Sequence, residues 1–158
     1  MSAIRAGFEA MQTMFGSHRY FAFMLEHGRK YEVGPHSFSL ARGPEKQCYA
    51  NAGMLALNMP HLTYVEGQIL VCGVPIDHAW CIDEEGVVVD PTLGDADHTD
   101  EFYGVPFRTD YLLKAVLRNK MWGVLDCIHS HKTAPKLFEL GLDAGQEWLM
   151  ADRKRRRA

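Results

Sequence analysis

The sequence predicts an α+β domain: N-terminal helices, one of them carrying Cys48, packed on an antiparallel β-meander, with further helices after it. Three observations lead there. Apolar residues recur at helical spacing in the first 26 residues and again around Cys48 and Tyr111. From Leu62 to Asp90 the chain changes to short β-prone runs separated by turn signals and by no helix, which argues against a parallel doubly wound sheet. At 158 residues and 47% hydrophobic, the chain is long enough for one well-buried core and short for two.

Taken in order, Ile4–Phe15 and Arg19–Glu26 are helical, broken by Gly16-Ser17, with Ser17 as a cap. Gly28–Gly43 holds Gly34-Pro35 and leads to Gly43-Pro44, and reads as a loop. A helix is expected from Pro44 or Glu45, since proline suits a first turn, through Cys48, Ala50, Met54 and Leu57. Pro60 disfavours helix at Met59 and ends it.

Leu62–Val65 and Gln68–Cys72 are strands with Gly67 as a bulge or bend between them. Asp77–Ile82 and Val87–Asp90 follow, joined by Asp83-Glu84-Glu85-Gly86. Residues 91–107 are a long, mostly acidic connection with no regular structure assigned; it either borders a substrate cleft or packs as a connector. Thr109 caps a helix whose Tyr111, Leu112, Ala115, Val116 and Met121 share one side. Gly123–Ile128 is a candidate strand and Pro135–Leu140 a short helix.

Charge is uneven. Of a net −3, the five positive charges from Arg153 to Arg157 leave −8 on the rest. An acidic body with a basic end is not the footprint of a nucleic-acid-binding domain, which carries its positive charge on the folded face. Residues 152–158 read as a disordered tail beyond a single domain over 1–151, and that tail is the one hint of a nucleic-acid or acidic partner. Arg5, Glu9 and Gln12 interrupt any apolar N-terminal signal, and no apolar run approaches the ~20 residues of a membrane span. The four cysteines form no CxxC pair, so a cytoplasmic chain with reduced thiols is expected.

The hairpin decides whether a histidine and an aspartate can meet. Asp83-Glu-Glu-Gly86 suits a three-residue loop, a type I turn followed by Gly86 in the left-handed conformation. That pairs Asp83 with Val87, sets Asp90 opposite Trp80, and puts it diagonal to His78 on one face. Diagonal neighbours lie about 7–8 Å apart between backbones, within side-chain reach. A two-residue turn at Glu84-Glu85 would put the two on opposite faces. Gly86 favours the productive register.

Cys48, early in its helix, feels the positive end of the helix dipole and unpaired amides, and both stabilise a thiolate. His78 then holds or returns a proton, and Asp90 fixes the imidazole. The Cys48 amide is a natural oxyanion donor and Gln47 a second candidate.

Tyr64-Val-Glu-Gly67, His78-Ala-Trp80 and Val89-Asp90-Pro91-Thr92 together resemble the core of the transglutaminase-like superfamily, within the papain-like group of cysteine enzymes. The resemblance covers roughly residues 47–92. It implies Cys48 as nucleophile, His78 as base and Asp90 as orienting acid, with thioester chemistry on a peptide or side-chain amide of a protein or peptide substrate. Hydrolysis is expected over cross-linking, because little chain remains for a dedicated acceptor site. No cofactor is implied. Tyr64, Trp80 and Gln47 are the candidate oxyanion or substrate-binding residues. Family members often carry an aromatic residue upstream of the cysteine, whereas Trp80, Trp122 and Trp148 all lie downstream here. That departure supports an alternative, a binding or inhibitory protein that kept the fold and lost turnover.

Simpler roles are expected elsewhere. Cys81 alternates with Trp80 and points away from the site face. Cys72 and Cys127 sit in apolar runs and read as core. Asp95, Asp97, Asp100 and Glu101 lack EF-hand spacing, and His129 and His131 lack a third ligand, so no metal site is assigned.

Overall fold

The structure, a computed structural model, describes residues 1–16, 19–35, 40–94 and 99–125. Among the described residues, four helices pack on one curled five-stranded sheet. The helices are α1 (Ala3–Phe15), α2 (Arg19–His27), α3 (Cys48–Asn58) and α4 (Thr109–Asn119). The strands are β1 (Arg29–Tyr31), β2 (Thr63–Val71), β3 (Val74–Ile82), β4 (Val88–Val89) and β5 (Thr99–Phe107), in the spatial order β1-β5-β2-β3-β4. Every neighbouring pair is antiparallel. A parallel bridge between Glu32 and Val87, with the Val88 amide donating to the Glu32 carbonyl at 2.9 Å, joins the β1 edge to the β4 edge.

Side-chain alternation along the strands separates two apolar cores. On the helix-facing side, Tyr64, Ala79, Cys81 and Phe107 pack against Ala52 and Ala56 of α3, Leu112 of α4, and Phe8 and Met24 of α1 and α2. Inside the curl, Val65, Ile69, Trp80, Ile82, Val88, Phe102 and Tyr31 form a second cluster. His78 and Asp90 belong by parity to the inner side, with Trp80 between them in the pleat.

The mixed α+β character and the meander β2–β3–β4 agree with expectation; several details do not. Gly67 is no bulge: β2 runs unbroken through it, and the register shift falls at Leu70/Val71. Its role is close approach, since a Cβ there would lie 2.2 Å from the Tyr103 carbonyl oxygen. Residues 99–107, read as irregular connection, form β5, a strand inserted between β1 and β2. Within the expected loop before Gly43, Arg29–Tyr31 adds a short strand through pairing with β5. Cys72 is exposed at the β2–β3 turn in the left-handed region (φ 49°) rather than in the core. Helix α4 has Arg108 as its N-cap and Thr109 as its first residue, and it ends before Met121. Residues 123–125 are not strand; the amides of Val124 and Leu125 bond instead to the buried Glu66 carboxylate. The Glu101 carboxylate accepts from the Ala3 and Ile4 amides and the Ser2 hydroxyl at the start of α1. The readings for Ser17, Asp95, Asp97, Cys127, His129, His131, Pro135–Leu140 and the basic tail lie outside the described residues. Among the described residues no helix is long and apolar enough to cross a membrane.

Candidate active site

The β3–β4 turn is the local origin of the site. The Asp83 amide donates to the Val87 carbonyl and the Gly86 amide to the Asp83 carbonyl, with Gly86 at φ 86°. One Asp83 carboxylate oxygen also accepts from the Glu85 and Val87 amides, both at 2.9 Å. Cys81 pairs with Val89 and Ile82 with Val88, the register expected of the three-residue loop. The ladder stops there, and Asp90 follows on the face shared by Trp80 and His78.

His78 and Asp90 meet. The His78 Nε2–H donates to Asp90 Oδ2 at 2.6 Å, with both side chains buried. The second carboxylate oxygen accepts from the Thr92 amide at 2.8 Å and the Leu93 amide at 3.0 Å, so Asp90 is held at both ends. Behind the imidazole, Trp80 lies nearly parallel to it, with ring centres 6.2 Å apart and planes at 17°.

Cys48 arrives from the helical layer. The expected helix start at Pro44 or Glu45 is corrected: residues 45–46 form a turn, Lys46 takes the left-handed region (φ 60°), and Gln47 is the N-cap. Cys48 is therefore the first helical residue, where the amides have no carbonyl within the helix to bond and the dipole is most positive. It is partly buried, and its thiol stands close enough to the His78 ring to help raise the pKa of that ring. Asp90 occupies Nε2, which leaves Nδ1 as the nitrogen open to sulfur.

Electrostatics favour a charged ring. Burial acts against the imidazolium, but the hydrogen bonds to Asp90 and to Cys48, and their charges, outweigh it and hold the His78 pKa up at about 9. A folded-state pKa above the ordinary 6.5 contributes stability that is complete below about 6.5 and lost as pH rises through about 9. The urea midpoint is thus expected to fall across that window, and Asp90→Asn to flatten the fall. A midpoint that rises there would contradict the pairing.

The remaining sequence candidates separate. Gln47 is exposed at the helix start and makes no side-chain cap bond, so its amide is available to a bound oxyanion. Trp80 is buried in the inner core against Tyr31 and Phe102, a wall behind His78 rather than a surface for substrate. Tyr64 is fully buried on the helix-facing side beneath the Cys48 helix, where burial, with the Glu66 charge next, pushes its phenol well above the ordinary range. Among the described residues neither the Tyr64 hydroxyl nor the Trp80 indole N–H has a hydrogen-bond partner. Cys81 faces α3 as expected, donates to the Ala52 carbonyl at 3.2 Å, and is held in the thiol form by burial. Among the described residues no cluster of three potential metal ligands forms.

Two residues were missed from sequence. Asn51, one turn after Cys48, bonds to Pro44 and Thr92; its spacing puts it on the Cys48 side of the helix, which was the available signal. Glu66 shares strand parity with the buried Tyr64, so alternation alone turns its carboxylate toward the helical layer.

Comparison with known families, characterised proteins and solved structures finds no match to this chain.

Proposed function

We propose that this protein is a cysteine-dependent acyl-transfer enzyme, a hydrolase of peptide or side-chain amide bonds in a protein or peptide substrate. The observation that carries the reading is His78 hydrogen-bonded to the doubly held Asp90, with the thiol of Cys48, at a helix N-terminus, acting on the same ring. A nucleophile, a base and a group that orients the base, each in reach of the next, are the parts such chemistry needs. A helix carrying the cysteine against a curled antiparallel sheet is in keeping with the transglutaminase-like resemblance.

In this reading the Cys48 thiolate attacks the substrate carbonyl carbon and a C–S bond forms. The oxyanion so created lies within reach of the Cys48 amide, with the Gln47 side chain as second donor. The imidazolium of His78 gives its proton to the leaving nitrogen as the C–N bond breaks, and an amine departs from a thioester. Neutral His78 then takes a proton from water, whose oxygen attacks the thioester. Collapse returns the carboxylic acid product and the thiolate–imidazolium pair. Asp90 keeps Nε2 protonated throughout, so that Nδ1 faces the sulfur.

The test is an acid-quenched incubation with a panel of short peptides containing glutamine or scissile amides, read by intact mass. The expected result is an acyl mass on Cys48 that hydroxylamine removes and that Cys48→Ala lacks. Turnover surviving in Cys48→Ala would refute the reading. A Cys48→Ala chain that keeps its full biological effect would instead favour a binding protein.

A further inference from the structure

We infer that Asn51 is a positioning residue that sets the distance between the nucleophile and the Asp90 turn. The inference rests on the acyl-transfer reading and extends it to a residue outside the Cys48–His78–Asp90 series.

Three pieces of chain must be held in register for that series to exist: the loop before Cys48, the first turns of α3, and the turn after Asp90. Asn51 touches all three. Its side-chain Nδ2 donates one proton to the Pro44 carbonyl at 2.8 Å and the other to Thr92 Oγ1 at 3.0 Å. Its backbone amide donates to the Gln47 carbonyl at 2.8 Å, tying it to the helix cap. The orientation of the amide is settled chemically, since the Pro44 carbonyl can only accept.

Thr92 passes the constraint to Asp90. Its hydroxyl accepts from Asn51 while its backbone amide donates to Asp90 Oδ1. In parallel, the Gly43 amide donates to the Pro91 carbonyl at 2.8 Å, lacing the loop to the same turn. Gly43 is required for this packing, because a Cβ there would lie 2.3 Å from the Asn51 Oδ1. The amide thus fills a slot with its two donors spent on partners in different segments.

Neither aspartate nor alanine reproduces this. Aspartate has the shape but no N–H, and would set a carboxylate against the Pro44 carbonyl. Alanine leaves that carbonyl and the Thr92 hydroxyl without their shared donor.

The test uses the full chain with Asn51→Ala, Asn51→Asp, Thr92→Val and Thr92→Ser, after near-UV circular dichroism has established native packing. Two readouts follow: the iodoacetamide labelling rate of Cys48 at pH 6, and the NMR resonance of the His78 Nε2 proton. Displacements under 1 Å in such sites cost on the order of tenfold or more in rate. Asn51→Ala and Asn51→Asp are therefore expected to label about tenfold more slowly and Thr92→Val about threefold. In all three the His78 resonance should shift or broaden. Thr92→Ser, which restores the hydroxyl, is expected to recover the wild-type rate. The Asn51→Ala/Thr92→Val double variant should be no slower than Asn51→Ala, because both changes break one link.

Asn51→Ala with wild-type labelling and an unmoved His78 resonance would overturn the inference, and so would effects that multiply in the double variant. The two proposals fail separately. Ordinary Cys48 labelling in the wild-type chain counts against acyl transfer, and the His78 resonance then decides the role of Asn51 without it.

Discussion

Alanine in place of His78 is expected to slow iodoacetamide labelling of Cys48 at pH 6 by about a hundredfold. An ordinary cysteine thiol with a pKa of ~8.5 is about 0.3% thiolate at that pH. In the acyl-transfer reading the His78 ring, held cationic to about pH 9, stands beside the sulfur and favours its attack on an electrophile. Losing that cation removes the acceleration, and the lower intrinsic nucleophilicity of a stabilised thiolate limits the loss to about a hundredfold. His78→Gln, which keeps a polar donor near Asp90 but cannot become a cation, should lose as much as alanine. Cys72 is exposed at a turn and serves as an internal reference whose labelling stays constant. If Cys48 labels at the same rate with and without His78, the thiolate–imidazolium pair does not exist.

Glu66→Ala is expected to lower stability by about 3 kcal/mol, seen as a fall of roughly 10 °C in melting temperature. Its carboxylate is 1% exposed and accepts from the Val124 amide at 2.7 Å and the Leu125 amide at 2.9 Å. Removing it leaves both amides buried without that acceptor, and bonds to a charged group are worth more than neutral ones. The damage should spread to α3, because the Trp122 ring lies over Gly53, where a Cβ would meet it at 2.5 Å. Glu66→Gln keeps one acceptor oxygen and should fall between the two. A scanning-calorimetry trace for Glu66→Ala within 2 °C of wild type would show that these amides find other partners.

The site was more legible in the sequence than the sheet that carries it. His78 and Asp90 could be paired because Asp83 and Gly86 specify their own turn, and a turn sets the register for several residues beyond itself. β5 could not be read in the same way. Gly104 and Pro106 interrupt its pattern, and its strand conformation comes from ladders with β1 and β2, both distant in sequence. Cys72 misled for a related reason: an apolar neighbourhood signals burial only where the strand continues, and here it turns. The start of α3 was placed early because Pro44 tolerates a first helical turn. Nothing local in Lys46 announces its left-handed conformation, which delays the helix to Cys48. Glu66 and Asn51 escaped notice because their partners, Val124, Leu125 and Thr92, are remote in sequence.

On topology, the two halves of the candidate site are expected to form at different stages of folding. His78 and Asp90 are 12 residues apart within one hairpin, a closure that takes about 1–10 μs. Cys48 reaches them only when α3 docks across the long loop and the β2–β3 ladder, a contact of higher order and slower formation. In the acyl-transfer reading the hairpin alone holds the base and its orienting acid but nothing for them to activate. A chain still unfolded presents Cys48 as an ordinary thiol. In the acyl-transfer reading, Cys48 would gain its reactivity only once α3 has docked on the sheet, so a nascent or misfolded copy would carry an ordinary thiol.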